Sequence, residues 1–167
     1  MLLGLGKFFK SNKNPDKKFI SNLNGLLGFK IKDTLLFKRA FTHSSTNLED
    51  KHGNVFNYER LEFLGDSILG TIISDHIYSN YSNFDEGELT KLRSKIINRD
   101  SLNKIGFSLK LNTLVKSSIK VDRSSDDING NLLEALIGAI YVEKGFKTCQ
   151  NFVTKKIINN INFNIIN

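Results

Sequence analysis

The sequence predicts an all-α domain of about seven helices, and three observations carry that expectation. Apolar residues recur three and four apart through most of the chain, the spacing of one helix face. Pro15 is the single proline, so little interrupts helices beyond it. Strand-like alternation is confined to brief runs, and no internal repeat is visible. With 167 residues, 40% of them hydrophobic and 25% charged, the chain is long enough for one domain with a substantial core.

Residues 1–15 form a polar, Lys/Asn-rich lead, read as a flexible extension, which leaves 16–167 as the domain. Asp16 is placed to cap a first helix running to about Leu27, where Gly28 ends it. Asp33 opens a second helix towards Thr42, with Leu35, Leu36, Phe37, Ala40 and Phe41 as its apolar set. Ser44–Asn57 reads as loop, and a long helix follows from near Tyr58 towards Tyr81. Asp85 and Glu88 make a capping-box pair ahead of Leu89, Leu92, Ile96 and Ile97, with Glu86 in the first turn favouring the helix dipole. Asp100 is read as the cap of a short helix ending at Gly106. A polar connection over 116–129 leads into a helix at about Gly130–Lys144, stopped by Gly145, and the last helix starts near Lys147.

The net charge of +7 suits an acidic partner such as nucleic acid. The excess of lysine over arginine, 19 to 5, together with abundant Asn and Ile, is also what AT-rich coding produces, so a solvated surface is an equal reading. Cys149 is alone, which excludes an intrachain disulfide, favours a reducing compartment and makes the thiol a core filler. Met1–Lys10 lacks a cationic segment followed by an unbroken apolar run, so no secretory signal is expected. The apolar stretch Leu132–Val142 is too short to span a bilayer and contains Glu134. A cytoplasmic protein with no membrane partner is the simple expectation.

Residues 59–66, Glu-Arg-Leu-Glu-Phe-Leu-Gly-Asp, carry the strongest chemical signal. On a helix, Glu59, Glu62 and Asp66 fall within an arc of roughly 60°, with Leu61, Leu64 and Ile68 opposite. Like charges so spaced destabilise an isolated helix by a few tenths of a kcal/mol per pair, so a metal ion or a basic partner is expected to compensate. A second site is Asn131–Ala139, in which Glu134 interrupts an apolar run and Gly138 marks a close helix approach. Packed against residues 59–73, that helix brings Glu134, and Asn131 one turn before it, towards Glu62 and Asp66. Oxygen donors without His or Cys suit magnesium or manganese, the ions of metal-assisted phosphodiester hydrolysis. The plainer reading is a solvated acidic face with Glu134 paired to a lysine, and spacing alone leaves both open.

Glu59-Arg-Leu-Glu-Phe-Leu-Gly-Asp-Ser-Ile-Leu69 resembles the signature of ribonuclease III, the endonuclease that cuts double-stranded RNA. Ala40-Phe-Thr-His-Ser44, Asp85-Glu-Gly-Glu-Leu89 with Leu92 and Arg93, and Leu133-Glu-Ala-Leu-Ile-Gly-Ala-Ile-Tyr141 resemble the family in the same order, so the likeness covers about residues 20–155. It implies a homodimeric all-α endonuclease domain that uses magnesium, with manganese as a substitute. The products implied are 5′-phosphate and 3′-hydroxyl ends with a two-nucleotide 3′ overhang, in ribosomal or other RNA processing. Glu62, Asp66 and Glu134 take the family's metal-coordinating positions, and Glu59 and Glu86 match acids lining the same valley. Phe63 matches the aromatic that packs into the partner subunit; its plain alternative is a core phenylalanine.

Two departures accompany the likeness. Asn131 stands where most of the family has aspartate, so the fourth metal ligand is neutral and weaker cation binding is expected, with Asp126 or Asp127 as possible sources of replacement charge. The sequence ends at Asn167, leaving no room for the double-stranded-RNA-binding domain that usually follows. Either a catalytic domain acts alone, with salt-sensitive affinity for RNA, or a longer chain has been cut. Lys91, Arg93, Lys95 and Arg99 are candidates for phosphate contacts, or an ordinary solvated face, and His43 is read as a structural hydrogen-bonding residue. The alternative function is a non-catalytic RNA-binding member of the fold, such as a ribosome-associated protein.

Overall fold

The computed structural model describes residues 15–118 and 128–161. Among them are seven α-helices and three short 3-10 turns, in two compact units divided after Ile31. The first unit contains α1, Pro15–Leu27. This helix starts one residue before the expected cap, because proline's fixed φ suits a first helical position, and Asp16 lies inside the first turn. It ends as expected at Gly28, whose φ of +75° admits the left-handed turn. The Asn24 side chain then accepts from Ile31 N–H at 2.9 Å.

The second unit begins with α2, Thr34–Ala40, capped by Asp33, whose carboxylate accepts from Leu36 N–H at 2.9 Å. Phe37, Ala40 and Phe41 are buried as read, but Leu35 faces outward at 62% exposure. The loop that follows is tied by Asp50, which accepts from the N–H groups of His52 and Asn54 and from Arg39. Those N–H groups hold the Asp50 carboxyl down at about 2. Next come α3, Glu59–Asn80, and α4, Glu86–Ile96, the latter with both arms of the Asp85–Glu88 capping box formed. The cap of α5, Arg99–Ser108, is Asn98, which accepts from Ser101 N–H at 2.9 Å. Asp100 was expected there; it falls instead in the first turn, because Asn98 already has the extended backbone a cap needs.

The unit closes with α6, Ile128–Lys144, and α7, Phe146–Lys156. Gly145, at φ +76°, separates them. Leu132, Leu133, Ala135, Leu136, Ile137, Ala139 and Ile140 of α6 are fully buried, so this helix is apolar nearly all round and forms the centre of the unit. Its most extensive partner is α3, followed by α5. Leu61, Leu69, Ile72, Ile73 and Ile77 supply the buried side of α3, while Leu64 and Ile68 are only half-buried.

Two glycines set how closely α3 and α6 approach. A Cβ at Gly65 would overlap the Glu134 carbonyl and lie 3.0 Å from Gly138 N, and one at Gly138 would overlap the Leu61 carbonyl. The backbones therefore meet directly. Gly70, also inside α3, has nothing within 4 Å of its Cβ position. We expect Gly65→Ala to destabilise the protein by about 3 kcal/mol through overpacking. Gly70→Ala should stabilise it by about 1 kcal/mol through helix propensity. Urea midpoints with unchanged slopes check both.

Candidate active site at the crossing of α3 and α6

The backbone contact at Gly65 places the acidic turns of α3 beside α6. Glu62, Asn131 and Glu134 line one cavity of ≈ 170 Å³, closed by Ile97, Arg99, Leu102 and Gly130. Asn131 and Glu134 lie one helical turn apart and share that face of α6, as their spacing predicted. The Asn131 carboxamide also shares a hydrogen bond with the hydroxyl of buried Tyr58, the residue that precedes α3. Asp66, one turn beyond Glu62, is exposed and lines an adjoining groove of ≈ 800 Å³ with Ser67, Ser74, Asp75 and Arg93.

The charges here oppose one another. Burial, then the nearby charges of Asp66 and Glu62, push the Glu134 carboxyl up to about 7, against the pull of Arg99. Burial and the Glu59 charge likewise raise the Glu62 carboxyl, with Arg99 opposing and Asp66 adding. Half-buried carboxylates in mutual repulsion, with a carboxamide oxygen beside them, are a hard-donor set that a magnesium or manganese ion would neutralise, so the residues present fit such an ion. They do not form a tight cage. Among the described residues no three His, Cys, Asp or Glu side chains converge closely enough to hold a metal ion. Glu62 and Glu134 share one cavity, and Asp66 lines the groove beside it.

The other predicted residues divide between this site and its surroundings. Glu59 is exposed, and its charge is felt by Glu62 and Tyr58. Glu86 is not brought into the cavity: its carboxylate accepts from the Thr90 hydroxyl at 2.9 Å and lines a separate hollow with Ser74, Tyr78 and Arg93. Phe63 is 78% exposed, which rules out the core reading within this chain. Lys91 and Lys95 are exposed, and Arg93 reaches the Ser74 hydroxyl at 3.4 Å. Arg99, grouped with these in the sequence, stands on the cavity wall instead. His43 has the structural part expected, its Nδ1 accepting from Ser45 N–H at 3.0 Å. Cys149 is buried, its thiol pushed up to about 12 by burial. Asp126 and Asp127 lie outside the described residues. Sequence reasoning missed Tyr58 altogether. Its position immediately before the acidic octet was the available signal.

Fold and cavity together define an all-α domain organised around an acidic helix crossing. Residues 33–161 match the Ribonuclease-III-like family. The chain is 47% identical to Ribonuclease 3 of Zunongwangia profunda over 148 residues, 89% of this chain and 61% of that protein. It is 45% identical to Ribonuclease 3 of Flavobacterium psychrophilum over 151 residues, 90% and 61% of the two chains. The nuclease domain of ribonuclease III from Campylobacter jejuni matches the fold with a TM-score of 0.75 at 33% identity, covering 85% of this chain and 98% of that one. The chain therefore belongs to the ribonuclease III family. It spans 61% of the length of the two curated relatives described.

The raised Glu134 carboxyl gives a pH signature. Between pH 4.5 and about 7 the unfolded state has released this proton while the folded state retains it, so stability falls as pH rises through that window and levels off above it. Glu62 contributes in the same sense. Denaturation of metal-free protein across this range should show the decline, and Glu134→Gln should remove most of it.

Proposed function

We propose that this chain is a divalent-metal-dependent endoribonuclease that cuts double-stranded RNA, with residues 16–167 as its catalytic domain. The observation that carries this reading is the single cavity shared by Glu62, Asn131 and Glu134, with Asp66 one turn away on α3. Glu62, Asn131, Glu134 and Asp66 would hold magnesium or manganese, and the ion supplies Lewis-acid activation of water and of the scissile phosphate. Glu59 adds negative potential at the cavity mouth, while Glu86 acts from outside the cavity. Ile97 and Leu102 exclude bulk water from one wall, which strengthens every charge interaction inside.

Arg93, which lines both outer hollows, together with Lys91 and Lys95, offers cations for RNA phosphates. Double-stranded RNA is recognised by shape and 2′-hydroxyl contacts, so base-reading side chains are not required. Products with 5′-phosphate and 3′-hydroxyl ends, a role in ribosomal RNA processing and a cytoplasmic location follow from family membership as part of this proposal. No helix among the described residues is long and apolar enough to cross a membrane. Action as a homodimer is supported by exposed Phe63 on the octet, and the Campylobacter jejuni nuclease domain is described as having a region involved in dimer formation.

A second reading, a non-catalytic RNA-binding member of the family, draws on the neutral Asn131 in the acidic cavity. One assay separates the two. Purified protein incubated with a long RNA duplex and magnesium should cut it, and Asp66→Ala or Glu134→Ala should each slow cutting about a hundredfold or more. Asn131→Asp should lower the magnesium concentration that gives half-maximal rate. Duplex binding that is indifferent to magnesium and yields no products would establish the second reading.

A further inference from the structure

We propose that Arg99 is the built-in counter-charge of the carboxylate cavity, a positioning residue that competes with the incoming cation for Glu62 and Glu134. This rests on the cation-site reading above. Arg99 lines the ≈ 170 Å³ cavity together with Glu62, Asn131 and Glu134, on the wall that α5 presents to α6. That wall is rigidly seated. Gly130 N–H donates to the Asn103 side chain at 2.7 Å, and a Cβ at Gly106 would overlap the Asn129 carbonyl. The base of the Arg99 side chain is therefore fixed relative to Glu134.

A separate observation comes from helix chemistry. Arg99 is the first residue of α5, directly after the cap Asn98. A positive charge there opposes the helix dipole, and acidic residues are the favoured choice. A residue that breaks a local rule beside a functional cavity calls for a compensating interaction. The compensation is in the cavity, whose lining Arg99 shares with the two acids Glu62 and Glu134. A guanidinium suits this task because it stays charged and its planar fork matches carboxylates.

The consequence is competition by charge. With Asn131 neutral, exposed Arg99 shares the cavity lining with two carboxylates, and a divalent ion entering there meets its like charge. The protein accepts weaker metal binding in exchange for less repulsion between its acids when no cation is bound.

The test is calorimetric titration of manganese into the intact metal-free protein, comparing wild type with Arg99→Gln, Arg99→Ala and Arg99→Lys. Arg99→Gln and Arg99→Ala should bind manganese about tenfold more tightly, and Arg99→Lys should stay within about twofold of wild type. Removing a cation from the start of α5 relieves the dipole conflict, so both neutral variants should fold, as circular dichroism will verify. Wild-type affinity in a folded neutral variant overturns the counter-charge proposal and leaves the cation site standing. Absence of manganese binding in wild type and neutral variants alike overturns the cation-site reading, and this proposal with it. Binding that emerges only in the neutral variants supports the proposal in its strongest form.

Discussion

The contact on which the rest of this fold depends is the backbone-to-backbone crossing of α3 and α6 at Gly65 and Gly138. Gly65 sits between Glu62 and Asp66, and Gly138 lies one turn after Glu134, so the closest approach of the helices is also where their acids are. Any side chain at either glycine would force the helices apart. The cavity between Glu62 and Glu134 would widen with them. The same closeness removes water from around Glu134 and so raises its carboxyl towards neutrality. Helix packing and proton affinity have a single geometric cause.

The energy that holds this crossing together comes from elsewhere on the same helices. Apolar burial along α6, from Leu136 to Ile140, and along α3, from Leu69 to Ile77, extends beyond the acids. That separation lets the site retain electrostatic repulsion without unfolding the domain. Arg99 on α5 relieves part of it, while Glu59 adds to it. The site is thus a strained charge arrangement held by an apolar frame, a division expected where function rather than stability selects the residues.

Much of this was legible in the sequence because it rests on local rules. The Asp85–Glu88 capping box, the Gly28 and Gly145 stops, the span of α3 and the burial of α6 all follow from short-range chemistry or period. The acidic octet likewise announced a charged face on an otherwise apolar helix. What failed depended on tertiary placement or on competition between neighbours. Asn98 outcompeted Asp100 as a cap, and Leu35 of the expected apolar set turned to solvent. Arg99 is exposed like Lys91 and Lys95, and only the packing of α5 on α6 shows that it also borders the cavity. Spacing put Glu62, Asp66 and Glu134 on facing helices, but only the packing shows that Glu62 and Glu134 share one cavity while Asp66 lines the next groove.

Asn131 draws these threads together. It occupies the position facing Glu62, one turn from Glu134, and also shares a hydrogen bond with buried Tyr58 at the entry to α3. A carboxylate there would add a further like charge to a cavity in which Glu134 already titrates near 7, raising the cost of the metal-free state. A carboxamide keeps the oxygen donor and the link to Tyr58 without that charge. If the cavity holds a cation as proposed, Asn131 favours the metal-free state over the loaded one, the direction also proposed for Arg99. Two residues on different helices, one neutral and one positive, lower the negative charge of the same cavity.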